Sequence, residues 1–431
     1  MGSYIPAGDE ERREMLAKCG AKSVDDFYGA VPSAMRLEKL NLPAGVSEME
    51  SARFVSDLAD RNVVFKSVFR GAGAYRHYIP ATVKSITSKE EFVTAYTPYQ
   101  AEISQGILQS IFEFQTMICD LTGMDVANAS VYDGATAAAE ALAMCREAKR
   151  DRALIVEGVN PRALAVIQTY AFGSGMKIEV VPAKDLGAKL GPDVACVYLQ
   201  QPDFFGTIAD AEAVGRAAHA AGAKFVMGVN PIAAAILKSA GECGADVAVG
   251  EGQPLGMPLS WGGPYLGFMS ATTAMMRKLP GRIVGETVDA AGNRAFVLTL
   301  QAREQHIRRE KASSNICSNQ NLCALTASVY LSTMGNAGLK RAAENSYANA
   351  HYLRDELAKL GFKHEDKGEF FHEFVTSCPV SAGEFLDKLA AQGFLGGLKL
   401  DDARLLWCAT ELNDKADIDN LVVAIGKAVA K

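Results

Sequence analysis

The stretch from Gly250 to Gly267 constrains the fold more than any other part of the chain. It reads Gly-Glu-Gly-Gln-Pro-Leu-Gly-Met-Pro-Leu-Ser-Trp-Gly-Gly-Pro-Tyr-Leu-Gly and follows a short apolar run, Asp246 to Val249, that predicts a buried strand. Glycine and proline recur so often that neither a helix nor a regular strand can persist through it. We therefore predict a shaped loop. Composition leaves two readings open: a loop that lines a site on a rigid scaffold, and an irregular surface turn.

Strand-length apolar runs alternate with helical patterns before that loop. The apolar runs are 153–156, 178–181, 194–199, 225–229 and 247–249, and the helical patterns are 162–171, 211–221 and 232–240. Such alternation predicts an α/β fold in which helices cover both faces of a mostly parallel sheet. Further strands of the same body are expected at 265–270 and 296–300.

Ligands of such sheets bind outside the carboxyl ends of the strands. Three polar loops follow predicted strands, at Gln200 to Asp203, Val229 to Pro231 and Gly250 to Gly267. We therefore expect these three loops to meet at one edge of the sheet.

The chain is long enough for more than one core, and its pattern predicts three parts. Residues 1–61 read as an arm of short helices, the first running from Glu10 to Cys19 with Asp9 as its cap. The arm either packs on another subunit or caps its own domain. A large α/β domain is predicted for 62–330 and a small C-terminal α+β domain for 331–431. Two long helices are predicted where these domains meet, at 320–334 and 337–360. In the small domain, helices are predicted at 382–392 and 415–430, and strands at 372–376 and 404–408.

Charge and cysteine usage exclude several classes of protein. With 44 basic and 50 acidic residues the net charge is -6, which offers no footprint for nucleic acid. The nine cysteines and six histidines show neither disulfide nor metal spacing. No signal sequence or membrane span is recognisable. These features lead us to expect a cytoplasmic protein without a metal site.

Two further segments leave alternatives open. The polar and aromatic segment 94–106 offers hydroxyl and amide groups, either as a site loop or as packing. The turn Asp133-Gly-Ala-Thr136 opens a helix, where free N–H groups hold an anion or a side chain caps the terminus. We favour the cap, since a carboxylate at Asp133 would repel a phosphate.

Four longer motifs resemble the glycine cleavage P-protein family, glycine decarboxylase, and in particular its subunit 1, the first half of the two-chain form. They are residues 97–106, 128–142, 250–256 and 303–317. The resemblance implies the fold of type I pyridoxal phosphate enzymes, with a mostly parallel sheet in a large domain and a smaller C-terminal domain.

The resemblance also implies that this chain has lost the cofactor's chemical anchors. Registered on Gly262-Gly-Pro264, the position of the Schiff-base lysine falls on Gln253. The acidic residue that keeps the pyridine nitrogen protonated falls on Met227. An amide forms no imine and a thioether does not stabilise a pyridinium, so this chain is expected to bind no pyridoxal phosphate covalently.

A partner then follows from the resemblance. A second subunit would carry pyridoxal phosphate, decarboxylate glycine and pass the aminomethyl group to the lipoyl arm of the H-protein, in a heterotetramer with two copies of each chain. This chain would complete the cleft. The candidate cleft residues are Tyr96, Tyr99, Gln100 and Glu102, and the candidate interface or anion contacts are Arg303, His306 and Arg308. The alternatives are an independent pyridoxal enzyme that uses Lys238 or Lys278, and a non-catalytic scaffold.

Overall fold

In a computed structural model of the chain, residues 7–37, 39–300, 305–365 and 368–429 are described. The chain divides into two compact units, Met1–Val63 and Val64–Lys431. The first unit holds the helices α1 (Asp9–Lys18) and α2 (Glu48–Ala59), with 3-10 turns at Val24–Tyr28 and Ser33–Met35 between them.

The start of α1 differs from the prediction. Gly8, not Asp9, is the N-cap, because the Glu11 carboxylate accepts the Gly8 N–H at 2.8 Å. Asp9 is then the first helical residue, where its negative charge suits the helix dipole. Neither α1 nor α2 contributes a buried residue.

The second unit contains the sheets. Its strands are β1 (Ser67–Val68), β2 (Val126–Ala127), β3 (Arg152–Val156), β4 (Lys177–Val181), β5 (Val194–Gln201), β6 (Lys224–Val229), β7 (Val247–Glu251), β8 (Gly267–Ala271), β9 (Ile283–Val288), β10 (Arg294–Thr299), β11 (Glu373–Ser377), β12 (Phe394–Leu395), β13 (Leu398–Asp401) and β14 (Arg404–Cys408). Its helices are α3 (Ala81–Thr87), α4 (Glu90–Val93), α5 (Gln105–Thr122), α6 (Gly134–Cys145), α7 (Pro161–Ser174), α8 (Leu186–Lys189), α9 (Ala211–Ala220), α10 (Gln305–Arg308), α11 (Asn321–Lys359), α12 (Ala382–Ala391) and α13 (Lys415–Val429).

A seven-stranded sheet is the centre of this unit, with the order β2-β8-β7-β6-β5-β3-β4. The five strands from β4 to β7 pair in parallel, and β8 and β2 are antiparallel at one edge. The predicted α/β fold with a mostly parallel sheet is confirmed. The strand predicted at 265–270 is β8, and it joins this sheet.

The two faces of the sheet bury different side chains, because successive residues of a strand point in opposite directions. On β3, Leu154 and Val156 pack in one core with residues of α5, α9 and α11. Ala153 and Ile155 pack on the other side with residues of α6 and α7. Helices therefore cover both faces, as the near-continuous apolar runs predicted.

The strand predicted at 296–300 is β10, but among the described residues it pairs only with β9, in a two-stranded sheet separate from the seven-stranded one. Phe296 packs there against α5, and the Gln105 side chain bonds both its N–H and its carbonyl. The helix predicted at 232–240 was wrong, because only the 3-10 turn Ala233–Ala235 forms and the chain leaves helical angles at Ile236, with φ -131° and ψ -12°.

The C-terminal part follows the prediction closely. The sheet β11-β14-β13 packs with α12 and α13 around a separate core. The two long helices predicted at 320–334 and 337–360 form the single element α11, in which Gly335 has the non-helical angles φ 57° and ψ -179°. Among the described residues no helix is long and apolar enough to cross a membrane.

Candidate functional site

A cavity of about 500 Å³ lies where β5, β6 and β7 end. Residues of all three predicted loops line it, among them Gln200, Asn230 and Glu251, so the prediction that these loops meet at one edge is confirmed. The first residues of α6, Tyr75 and the pair His372 and Glu373 complete the lining. This is the place where a sheet of this class holds its ligand.

Gln253 follows β7 and is 1% exposed. Its side-chain oxygen accepts the Tyr75 N–H at 2.9 Å, and its nitrogen donates to the carbonyls of Tyr75 and Met257, both at 2.8 Å. All three partners are backbone groups that the amide satisfies inside the protein. Gln253 therefore fastens the loop to the Tyr75 segment and presents no reactive group.

The N-terminus of α6 is occupied by a carboxylate of the same chain. Glu251 Oε2 accepts the Gly134 N–H at 3.0 Å, and Oε1 accepts the N–H groups of Gln253 at 2.9 Å and Leu266 at 3.1 Å. A Cβ on Gly134 would lie 2.8 Å from the Glu251 Cβ, so only glycine allows this approach. Burial raises the pKa of Glu251 to about 7, against the three N–H bonds that lower it.

Asp133 is the N-cap of α6. Its carboxylate accepts the Thr136 N–H at 2.8 Å, which is the cap that we favoured from the sequence. Two carboxylates thus stand at the helix terminus where a phosphate would need free N–H groups.

The side chains present do not fit pyridoxal phosphate. Gln253 forms no imine, and Glu251 takes the helix N-terminus that would hold the phosphate. Met227 lies buried in β6 among apolar side chains and offers no charge to a pyridinium.

The alternative lysines are elsewhere. Lys238 donates to Glu212 at 2.8 Å, and this bond raises its pKa, which keeps it protonated and not nucleophilic. Lys278 lies 4.0 Å from Glu147. Neither side chain lines the cavity.

Buried polar groups close the far side of the cavity. Glu373 accepts the Ala72 N–H at 2.6 Å and the Tyr75 hydroxyl at 2.7 Å. Burial raises the pKa of Glu373 to about 7, and burial together with the Glu373 charge raises the pKa of Tyr75. Burial also lowers the pKa of His372 and keeps it neutral. The cavity therefore carries carboxyl and phenol groups whose protons are tightly held.

Of the cleft and interface candidates proposed from the resemblance, those in the described part of the chain do not line this cavity. Tyr96, Gln100 and Glu102 are exposed, Tyr96 to 87%. The Tyr99 hydroxyl accepts from Arg282 at 2.9 Å. Arg308 lines a different cavity. Arg303 and the side chain of His306 lie outside the described residues.

Sequence reasoning missed Glu251, Glu373 and Tyr75 as site residues. Glu251 stands beside Gln253 in the quoted loop, but its contact with Gly134 joins positions 117 residues apart. Only the packed sheet brings these groups together. Within the described residues no cluster of histidine, cysteine, aspartate or glutamate is arranged to hold a metal.

Comparison with known proteins shows which family this chain resembles. The chain matches the glycine cleavage system P-protein family over residues 2–425. It is 48% identical over 439 residues to the probable glycine dehydrogenase (decarboxylating) subunit 1 of Moorella thermoacetica, across 98% of this chain and 99% of that protein.

Solved structures agree. The crystal structure of glycine decarboxylase (P-protein) of the glycine cleavage system, in inhibitor-bound form, is similar with a TM-score of 0.94 and 40% identity, over 99% of this chain and 100% of that one. An aspartate aminotransferase from Thermus thermophilus, 14% identical with a TM-score of 0.60 over 84% of this chain and 99% of that one, shares the fold alone. The predicted type I pyridoxal phosphate enzyme fold is confirmed.

The three bonds of Gln253 give a stability prediction. Gln253→Met keeps the length of the side chain but leaves three buried backbone groups without partners, so we expect the free energy of unfolding to fall by about 3 kcal/mol. Urea denaturation measures this. The matched control is Gln109→Met on the exposed side of α5, expected within about 0.5 kcal/mol of wild type. Equal effects of the two changes would contradict the fastening role.

Glu373 gives a pH prediction. Its pKa is raised from 4.5 to about 7 in the native state, so its stabilisation is complete below pH 4.5 and is lost as the pH rises through 7. Between about pH 5 and 8 we expect wild type to lose about 2 kcal/mol of unfolding free energy relative to Glu373→Gln. Exposed Glu384→Gln is the control and should follow wild type. A Glu373→Gln profile parallel to wild type would refute the assignment.

Proposed function

Because this chain belongs to the glycine cleavage system P-protein family, we propose that it is subunit 1 of a two-chain glycine dehydrogenase (decarboxylating). A partner subunit holds the pyridoxal phosphate. One observation supports the proposal: no lysine of the described residues lines the cavity at the strand ends, and Gln253, where the resemblance places the Schiff-base lysine, bonds backbone groups instead. A chain of this kind contributes to glycine cleavage only by completing a site on another chain.

In the proposed reaction glycine loses its carboxyl group as carbon dioxide. The aminomethyl group bonds to one sulfur of the lipoyl disulfide on the H-protein, the disulfide opens, and the second sulfur takes a proton. Pyridoxal phosphate on the partner supplies the electron sink. The complex contains two copies of each chain. A cytoplasmic location is part of the proposal and suits the nine free thiols of this chain.

The polar and aromatic segment 94–106 is the proposed contribution to the partner's cleft. Tyr96 and Ile103 are 87% and 80% exposed, so this segment offers apolar surface to a docked partner. The Tyr99 hydroxyl accepts a hydrogen bond from the buried Arg282 side chain. The Nε and Nη1 of Arg282 have no hydrogen-bond partner among the described residues. Buried donors without partners are costly, so a group from the docked partner would stabilise this segment.

The N-terminal unit is the proposed arm that holds the partner. On α2, Phe54, Val55 and Leu58 share one exposed face at helical spacing. Aromatic and aliphatic side chains on such a face are typical of an interface core.

Assays of the separate and mixed chains test the function. Alone, this chain should show neither the absorbance of lysine-bound pyridoxal phosphate nor exchange of labelled carbon dioxide into glycine, because Gln253 forms no imine. Mixed with its partner it should support both. Exchange by the lone chain would overturn the proposal, and so would full exchange by the partner alone.

Within that assay Tyr96→Ala probes the cleft. We expect the exchange rate of the complex to fall by roughly tenfold or more, since an exposed aromatic anchor is lost. Phe172→Ala, an equally exposed aromatic on α7, is the control. Both variants should unfold like wild type, because neither side chain is buried.

A charge on α2 tests the arm. Val55→Asp places a carboxylate in the apolar face, and we expect the affinity for the partner to fall at least roughly tenfold because that charge must be desolvated on binding. Calorimetric titration of the partner measures the affinity. Ser56→Asp adds the same charge on the opposite side of the helix and should bind like wild type. Equal affinities for wild type and Val55→Asp would remove the arm from the interface.

A further inference from the structure

A second cavity, of about 330 Å³, lies beside the C-terminal end of α6. It shares no lining residue with the cavity at the strand ends. Five basic side chains from three segments of the chain line it, together with two serine hydroxyls. These residues are Arg146, Arg277, Lys278, Arg308, Lys311, Ser313 and Ser314.

This concentration of positive charge contrasts with the chain as a whole, whose net charge is -6. The carboxylate in the lining is Glu140, which is 3% exposed. Burial raises its pKa to about 7, although a hydrogen bond from Ser314 lowers it. Near neutral pH the lining therefore carries five cations against less than one full negative charge.

Four of these cations, Arg146, Arg277, Lys278 and Lys311, have at most a weak ion pair with a described carboxylate. Lys278 is 4.0 Å from Glu147, and both side chains are solvent-accessible, so this ion pair is weak. Arg146 donates to the carbonyl of Ser174. Among the described residues neither Arg277 nor Lys311 has a carboxylate within ion-pair distance. Like charges gathered in a concave space repel one another unless an anion lies between them.

The chemistry of the lining selects the anion. Guanidinium groups bind the oxygens of a phosphate in pairs, lysine adds a point charge, and serine hydroxyls donate single hydrogen bonds. The volume lies within the range of small-molecule sites. We propose that this cavity binds a phosphate group, with Arg277 and Lys311 as its principal cations. The group belongs either to a free phosphate compound or to a phosphate that the partner subunit carries.

Titration of the lone chain with inorganic phosphate at constant ionic strength tests the proposal. We expect saturable binding of one phosphate per chain and a phosphate-dependent rise in melting temperature. The double variant Arg277→Gln with Lys311→Gln should bind at least roughly tenfold more weakly, because two charge-assisted bonds are lost. All these side chains are exposed, so the fold is retained, which circular dichroism verifies.

The matched control is Lys84→Gln with Lys184→Gln, which removes the same charge from exposed positions outside both cavities. The control should bind phosphate like wild type. An absence of saturable binding to the wild-type chain would overturn the proposal, and so would an equal loss of affinity in the control.

A second arm separates the two sources. If the phosphate is free in solution, the complex with the partner should still bind inorganic phosphate at this cavity. If the partner carries it, the complex should no longer bind added phosphate, and the double variant should weaken association with the partner by the same factor as it weakens phosphate binding. Either result supports the site. If the complex no longer binds added phosphate but the double variant associates with the partner as tightly as wild type, the proposal is contradicted.

Discussion

The carboxylate of Glu251 at the start of α6 is the contact on which the rest of the site depends. The N-terminus of a helix presents N–H groups without partners and a partial positive charge, so an anion or water must meet it. Glu251 meets the Gly134 N–H there and also binds the N–H groups of Gln253 and Leu266. One side chain thus joins the helix, the loop after β7 and the approach to β8. The same contact removes the place where a phosphate would bind.

Gln253 complements this arrangement through the geometry of its amide. One oxygen and two N–H groups match the Tyr75 N–H and the carbonyls of Tyr75 and Met257. A lysine has no acceptor for the Tyr75 N–H and brings a charge into a buried space. A Schiff base and this structural role therefore exclude each other at one position. The glutamine has a structural role of its own, because its three bonds hold the loop after β7 to the Tyr75 segment.

Periodicity and composition predicted the parallel strands, the helices that cover them and the edge at which three loops meet, because those features depend on local burial. They failed where tertiary packing decides. β10 pairs away from the main sheet because Phe296 packs against α5 and its backbone bonds Gln105. No long helix follows Ile232, because the chain leaves helical angles at Ile236. The sequence likewise did not predict that Glu251 would bond the first N–H of α6. The expectation of an amide at Gln253 in place of a lysine came from the motifs, whereas the bond from Gly134 to Glu251 required the fold.

Stability and association draw on different parts of this chain. The cores around the seven-stranded sheet and around α12 and α13 are closed by the second unit's own side chains. Large apolar side chains without burial are frequent instead in residues 7–63 and in the segment 94–106. Substitutions in these two segments remove little buried surface, so their effect on folding is small. Folding therefore constrains the cores, whereas these two exposed segments are free to serve the association proposed above.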